Sequence, residues 1–404
     1  PDVAGDGELL ARDVAIREHA SRMLQTHPAN LQLTEIEVPQ DESETASVRI
    51  SSDRMPLNRV DVSVRRSADG WIAGDVSAQG ESTGLDLQCV LVFWHNRLKT
   101  GPSLVEDFTL ALMQRFVLSV QIEVPQALAA LQGQGVLYLA NHQLDLESTL
   151  FVSLLAGLRD NLTGAVARQE LNESWVGPFW EQCFEHPHID NPDILLLIDR
   201  SSPEAVLASL EGAIERIRRD RTSLLIHVEG AHALRAGQPV EVVSTSLIDL
   251  AVARGIAIVP VRFAGGLPVE PVDEPLAFTV DYGKQDVWIG APILAETLAV
   301  MPSGQRKAAV LAAINGFGGR WLEEVPNPGD EAFGATVAEW REAHDVSPTQ
   351  ATLLRALEGA ANPSVETLRL LAAVSGGSTD RLPMLDEDVE RWLLAFSETA
   401  LGLA

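Results

Sequence analysis

Gly135-Val136-Leu137-Tyr138-Leu139-Ala140 runs directly into Asn141-His142-Gln143-Leu144-Asp145-Leu146-Glu147. The first six residues are short and apolar, as a strand buried on both faces reads. Residues 145–158 then take up a helical period. A strand that gives way at once to a helix is the repeating unit of a parallel α/β sheet. Ligands of such sheets collect at the carboxyl ends of the strands, which is where this reading puts His142. A carboxylate in the next helical turn can reach back to one imidazole nitrogen. That fixes the tautomer and leaves the other nitrogen to take a proton from a hydroxyl. The spacing alone is weak evidence, since roughly one His-x4-Asp/Glu match is expected by chance among nine histidines. His188 and Asp193 make a second such pair, and capping or packing accounts for either.

Outward from this stretch the same alternation continues. Residues 108–120 predict an amphipathic helix that buries against the sheet. Strands are predicted at 162–166, 194–198, 223–228, 256–263 and 287–290. Helices are predicted over 203–219, opened by Pro203, and over 246–254. Upstream the periodicity is different. A helix is predicted over 8–26, then alternating runs at 31–38, 46–50, 60–64, 71–76 and 85–94 predict antiparallel strands, with Ala68-Asp69-Gly70 as a hairpin turn. Downstream, the chain is helical and broken at Ser347-Pro348, Asn362-Pro363 and Gly376-Gly377. The expected fold is α/β: a mostly parallel sheet flanked by helices, a small β-rich N-terminal unit and a helical C-terminal tail. The expected divisions are 1–100, 101–325 and 326–404.

Composition narrows the function classes. Thirty basic against 57 acidic side chains give a formal charge of −27 over 404 residues, which argues against a nucleic-acid partner. Two cysteines, Cys89 and Cys183, provide neither a disulfide framework nor a thiolate metal site. No metal or cofactor is expected. No uninterrupted apolar run is long enough to read as a membrane span. The chain opens on Pro1 without methionine, which reads as a piece of a longer polypeptide.

Three further strand ends carry polar residues after His142. They are Leu197-Ile198-Asp199-Arg200, Val228-Glu229-Gly230-Ala231-His232 and Ile258-Val259-Pro260-Val261, followed by Ile289-Gly290-Ala291-Pro292-Ile293. With Asn141-His142 and Glu147, this ordered set over residues 130–295 resembles the glycerolipid (lysophosphatidic acid) acyltransferase family. That family carries Asn-His-x4-Asp, Phe-Ile-Asp-Arg, Pro-Glu-Gly-Thr-Arg and a Val-Pro strand.

The resemblance implies that His142 is the general base deprotonating an acceptor hydroxyl, oriented by Glu147, with Asp145 as the rival partner. The hydroxyl would attack a thioester carbonyl directly. Arg200 would bind an acceptor phosphate, with Asn141, Glu229, Gly230, His232 and Arg235 in the substrate site. The donor would be acyl carrier protein or coenzyme A and the acceptor a lysophospholipid. The location would be cytoplasmic, with at most peripheral contact at the inner membrane.

The departures are specific. Glu147 stands for the family's Asp, Ala231-His232 for its Thr-Arg, and Val242-Val243-Ser244-Thr245 for a basic Phe-Lys-x-Gly element. Arg235 is the substitute expected for the lost arginine. A thioesterase, with water as acceptor, is the first alternative, and a non-catalytic binding domain is the second. Trp175, Phe179 and Trp180 read as a loop packed on the core, with an acyl channel as the alternative. His227 reads as a core or edge histidine. Residues 60–76 resemble half of a hot-dog dehydratase or thioesterase. Before such an acyltransferase, that resembles the end of a bacterial polyunsaturated fatty acid synthase subunit.

Overall fold

The computed structural model describes residues 20, 31–37, 45–67, 70–73, 82–99, 101–168, 175–199, 201–316 and 329–403. Apart from Ala20, the helix expected over 8–26 lies outside the described residues, as does Arg200. The chain forms two compact units, residues 1–87 with 118–126, and residues 88–117 with 127–404.

The first unit is an antiparallel sheet of β1 (Leu31–Glu37), β2 (Thr45–Ser52), β3 (Met55–Ser67), β4 (Gly70–Ala73) and β5 (Ser82–Leu85). The order is β1-β2-β3-β4, with β5 also on β3. Its core is made by the alternating Val48 and Ile50 on β2 and Val60 and Val62 on β3, joined by Leu57, all buried. Ser67 pairs with Gly70 at the end of the β3–β4 ladder, and Ala68 and Asp69 of the predicted turn lie outside the described residues. The following strand β6 (Val117–Ile122) is tied to this unit by Asn58. Its amide donates to the Leu118 carbonyl at 3.0 Å and accepts from Val120 N–H at 3.2 Å.

Two readings at the boundary change. Residues 88–98 are a helix rather than the end of a strand. The run Cys89-Val90-Leu91-Val92-Phe93-Trp94 is apolar throughout, and such a run does not distinguish strand from helix. Packing decides it. A Cβ on Gly157 would lie 2.5 Å from Val90 Cα, so glycine lets this helix close onto Glu147–Arg159, and Trp94 Nε1 donates to the Ser153 carbonyl at 3.0 Å. The predicted helix 108–120 is instead Leu104–Phe116, capped by Ser103, and β6 begins at Val117.

The sheet of the second unit runs β12-β11-β7-β10-β8-β9. Its strands are β7 (Leu137–Ala140), β8 (Thr163–Arg168), β9 (Leu195–Ile198), β10 (Ser223–His227), β11 (Ile258–Ala264) and β12 (Gln285–Ile289). All neighbours are parallel except β12, which is antiparallel to β11. Helices Glu147–Arg159, Val176–Phe184, Pro203–Asp220 and Thr245–Ala253 supply the connections. Leu137, Leu139, Leu224 and Ile258 from the strands pack with Ile214, Ile217, Ile248 and Ile314 from the helices. The α/β architecture expected of the sequence is therefore the one observed.

Residues 176–184, read as a loop, are helical. Pro178 falls in the first turn, where a missing N–H costs nothing. The C-terminal helices belong to this second unit. Asp107 Oδ2 accepts from Ser364 N–H at 2.7 Å and from Thr367 Oγ1 at 2.6 Å, which fastens one of them to Leu104–Phe116. Among the described residues, no helix is long and apolar enough to cross a membrane.

Candidate active site

Strand register brings the site together. Leu224 pairs with Leu137 and His227 with Ala140, so β7 and β10 end at one level. On the other side Val261 pairs with Ala140. Beyond these ladders, Asn141 continues the sheet with its side chain. Its amide donates to the Phe263 carbonyl at 2.9 Å and accepts from Phe263 N–H at 2.7 Å. A buried amide satisfied at both ends fixes the backbone from which His142 projects.

Glu147 is fully buried at the first turn of its helix. Oε2 lies 3.2 Å from His142 Nδ1 and accepts from Gln143 N–H at 2.8 Å. Oε1 accepts from Gln285 Nε2 of β12 at 2.7 Å. Burial pushes this carboxyl above the ordinary glutamate value, while His227 and the donated hydrogen bonds pull it back. A carboxylate facing Nδ1 places the ring proton there and leaves Nε2 as the basic nitrogen of His142. The added methylene of Glu over Asp is accommodated, with Glu147 reaching His142 from the helix while Asp145 faces a different histidine.

His142 is held between two other imidazoles. Its ring centroid is 3.8 Å from His227 at 19° and 3.8 Å from His232 at 31°. Two near-parallel rings at that distance must lie on opposite faces of the third. His227 Nδ1 donates to the Asn141 carbonyl at 2.6 Å, and Nε2 accepts from Ser148 Oγ at 2.9 Å. Burial, helped by the neighbouring His142, lowers His227 to about 3, so it is neutral at ordinary pH. His232 Nε2 lies 3.1 Å from Asp145 Oδ1, out of line for a hydrogen bond.

Donor atoms of His142, Glu147 and His227 lie within 4.8 Å of one another, close enough to raise a metal site. The geometry does not suit one. Imidazole lone pairs lie in the ring plane, so stacked rings aim them side by side rather than at a common point. Both His227 nitrogens are already engaged. The cluster is a hydrogen-bonded set built around one imidazole.

These side chains form the polar end of a cavity of about 490 Å³. His142, Asp145, Ser148, His227 and His232 line that end, and Val152, Val166, Val176, Trp180, Phe184 and Ile194 are among the apolar wall. Trp180 is thus part of the cavity wall, its Nε1 donating to Thr149 Oγ1 at 2.9 Å. A volume within roughly 300–1,000 Å³ and a mainly apolar lining are usual for a small-molecule site.

Not every expected residue gathers there. Gly230, at φ 65°, lines the cavity beside Ala231 and His232. Glu229 turns elsewhere, its Oε1 accepting from Glu241 N–H at 3.1 Å. Arg235 is exposed and is not part of the lining. Arg200 is outside the described residues, and the neighbouring Asp199 carboxylate takes the Ser201 N–H at 2.8 Å, at an exposed position. Sequence reasoning missed Ser148, Gln285 and the position of His227. Ser148 and Gln285 carry no local signal. His227 did carry one, since it lies two residues before Glu229-Gly230 at the end of a predicted strand.

No family model and no curated protein sequence matches the chain. Among solved structures it is similar to the crystal structure of the 1-acyl-sn-glycerophosphate (LPA) acyltransferase PlsC from Thermotoga maritima. The identity is 17% over 54% of this chain and 77% of that chain, with a TM-score of 0.35.

Proposed function

We propose that this chain is an acyltransferase, moving a fatty acyl group from a thioester to a hydroxyl. The carrying observation is His142 Nδ1 set 3.2 Å from a fully buried Glu147 at the polar end of a mainly apolar cavity. The Glu147 carboxylate favours the imidazolium that forms when Nε2 takes a hydroxyl proton. The apolar wall by Trp180, Phe184 and Ile194 suits a hydrocarbon chain laid with its carbonyl toward His142. General-base assistance of this kind is worth about 10²–10⁴-fold. The donor is an acyl chain on coenzyme A or on a carrier protein, as in a polyunsaturated fatty acid synthase, and the acceptor a lysophospholipid such as lysophosphatidic acid.

One observation favours a second reading. No lysine or arginine is among the described residues lining the cavity, and Arg235 stands outside it. An acceptor phosphate would want a cation there. With water as acceptor the same base gives a thioesterase. The test is a product assay on palmitoyl-CoA with and without lysophosphatidic acid. Phosphatidic acid formed only when acceptor is present supports transfer to a lysophospholipid. Free fatty acid at a rate indifferent to added acceptor supports the thioesterase. An intact thioester in both arms contradicts both.

A further inference from the structure

His142 and Glu147 account for activating the attacking hydroxyl, but the cavity presents a second oxygen–imidazole pair. Ser148 follows Glu147 in the first turn of the same helix, and both Ser148 and His227 line the cavity. The Asn141 carbonyl can only accept, so His227 carries its proton on Nδ1 and a lone pair on Nε2. Ser148 Oγ, 2.9 Å from that nitrogen, therefore donates its hydroxyl proton to it. A hydroxyl donating to an imidazole whose far nitrogen is held by a fixed acceptor is the arrangement of an activated nucleophile. The His142 ring stacks on this base at 3.8 Å, so two bases serve one chamber.

We propose that Ser148 is the catalytic nucleophile of a covalent acyl-enzyme step, with His227 as its base and His142 as the base that unloads it. The inference rests on the acyl transfer proposed above. Ser148 Oγ attacks the thioester carbonyl carbon as its proton passes to His227 Nε2. The Oγ–C bond forms, the C–S bond breaks with its electron pair going to sulfur, and the sulfur takes the proton from His227 and leaves as a thiol. An acceptor hydroxyl or water, losing its proton to His142 Nε2, then attacks the serine ester. The C–Oγ bond breaks, and the proton held by His142 is returned to Oγ. His227 is uncharged at working pH, held so by burial and by the adjoining His142, and against these the Glu147 carboxylate is the nearby charge that favours its protonated form.

The test is intact-protein and peptide mass spectrometry after mixing with palmitoyl-CoA, run on the wild type, His142→Ala, Ser148→Ala and Ser148→Cys. One palmitoyl group is expected on the Ser148 peptide. It should be transient in the wild type and accumulate toward one equivalent in His142→Ala, where unloading is slowed. Ser148→Ala should carry none and lose at least about 10²-fold in thioester cleavage. Ser148→Cys, which keeps a nucleophile in place, should carry the group as a hydroxylamine-sensitive thioester. The proposal is overturned if the wild type cleaves the thioester, His142→Ala shows no adduct and Ser148→Ala turns over at the wild-type rate. Transfer is then direct and Ser148 only caps His227. If the wild type cleaves no thioester, acyl transfer itself fails and this step with it.

Discussion

Among the described residues, two histidine–glutamate pairs of the second unit share one separation. His142 Nδ1 lies 3.2 Å from Glu147 Oε2, and His186 Nε2 lies 3.2 Å from Glu366 Oε1. Their surroundings differ. His186 also accepts from His188 N–H at 3.1 Å, and its ring lies against Trp392 with centroids 4.4 Å apart. Glu366 Oε2 takes the Leu104 N–H at 2.8 Å. Both nitrogens of His186 are consumed by packing, and the pair joins the C-terminal helices to Leu104–Phe116. His142 presents its ring to a cavity instead. A histidine–carboxylate distance is therefore no sign of chemistry. The sign is a ring that lines a chamber and is backed by a buried carboxylate.

The sharpest way to break this comparison is to neutralise each glutamate in turn. Glu147→Gln should lower thioester turnover by about 10²–10⁴-fold, because an amide can neither hold the Nδ1 tautomer reliably nor stabilise the imidazolium. Burial holds the Glu147 carboxyl above its usual range, so its charge is a cost to the fold at neutral pH. Glu147→Gln should accordingly unfold no earlier than the wild type on heating. The matching Glu366→Gln should show the reverse, full turnover per folded molecule with stability lowered by about 1–3 kcal/mol, read by denaturant titration. Equal behaviour of the two variants would dissolve the distinction.

A smaller effect follows from His227, held near 3 in the folded chain against about 6.5 when unfolded. Between those values the unfolded chain binds a proton that the folded one does not. Stability should therefore fall as pH is lowered from about 6.5, by at most about 1.4 kcal/mol per unit. The raised value of Glu147 works in the opposite sense, its contribution falling as pH rises above the unfolded glutamate value. Melting temperatures from pH 7 to 4.5 should drop more steeply for the wild type than for His227→Asn. Parallel curves would mean that His227 titrates normally.

The parts of this site that were legible in the sequence are the local ones. The apolar strand before Asn141, the helix after it, and a histidine with a carboxylate five positions on all lie between Gly135 and Arg159. The rest depends on register and on long loops. His227 meets His142 only because β10 pairs with β7 so that both end together, and Gln285 reaches Glu147 across 138 positions of sequence. Periodicity also failed where burial is uniform, as in residues 88–98, where the fit of Val90 against Gly157 decides for helix. Arg235 lies three residues beyond His232, yet it does not reach the cavity wall that His232 joins. The −27 charge argues against a nucleic-acid partner, but it did not reveal that the lining lacks basic residues among those described.

The most direct measurement is palmitoyl-CoA cleavage by His142→Ala and His186→Ala side by side, each normalised to folded protein by circular dichroism. The predicted result is a loss of at least about 10²-fold for His142→Ala and an unchanged rate for His186→Ala despite its earlier unfolding. Full turnover by His142→Ala would contradict the account.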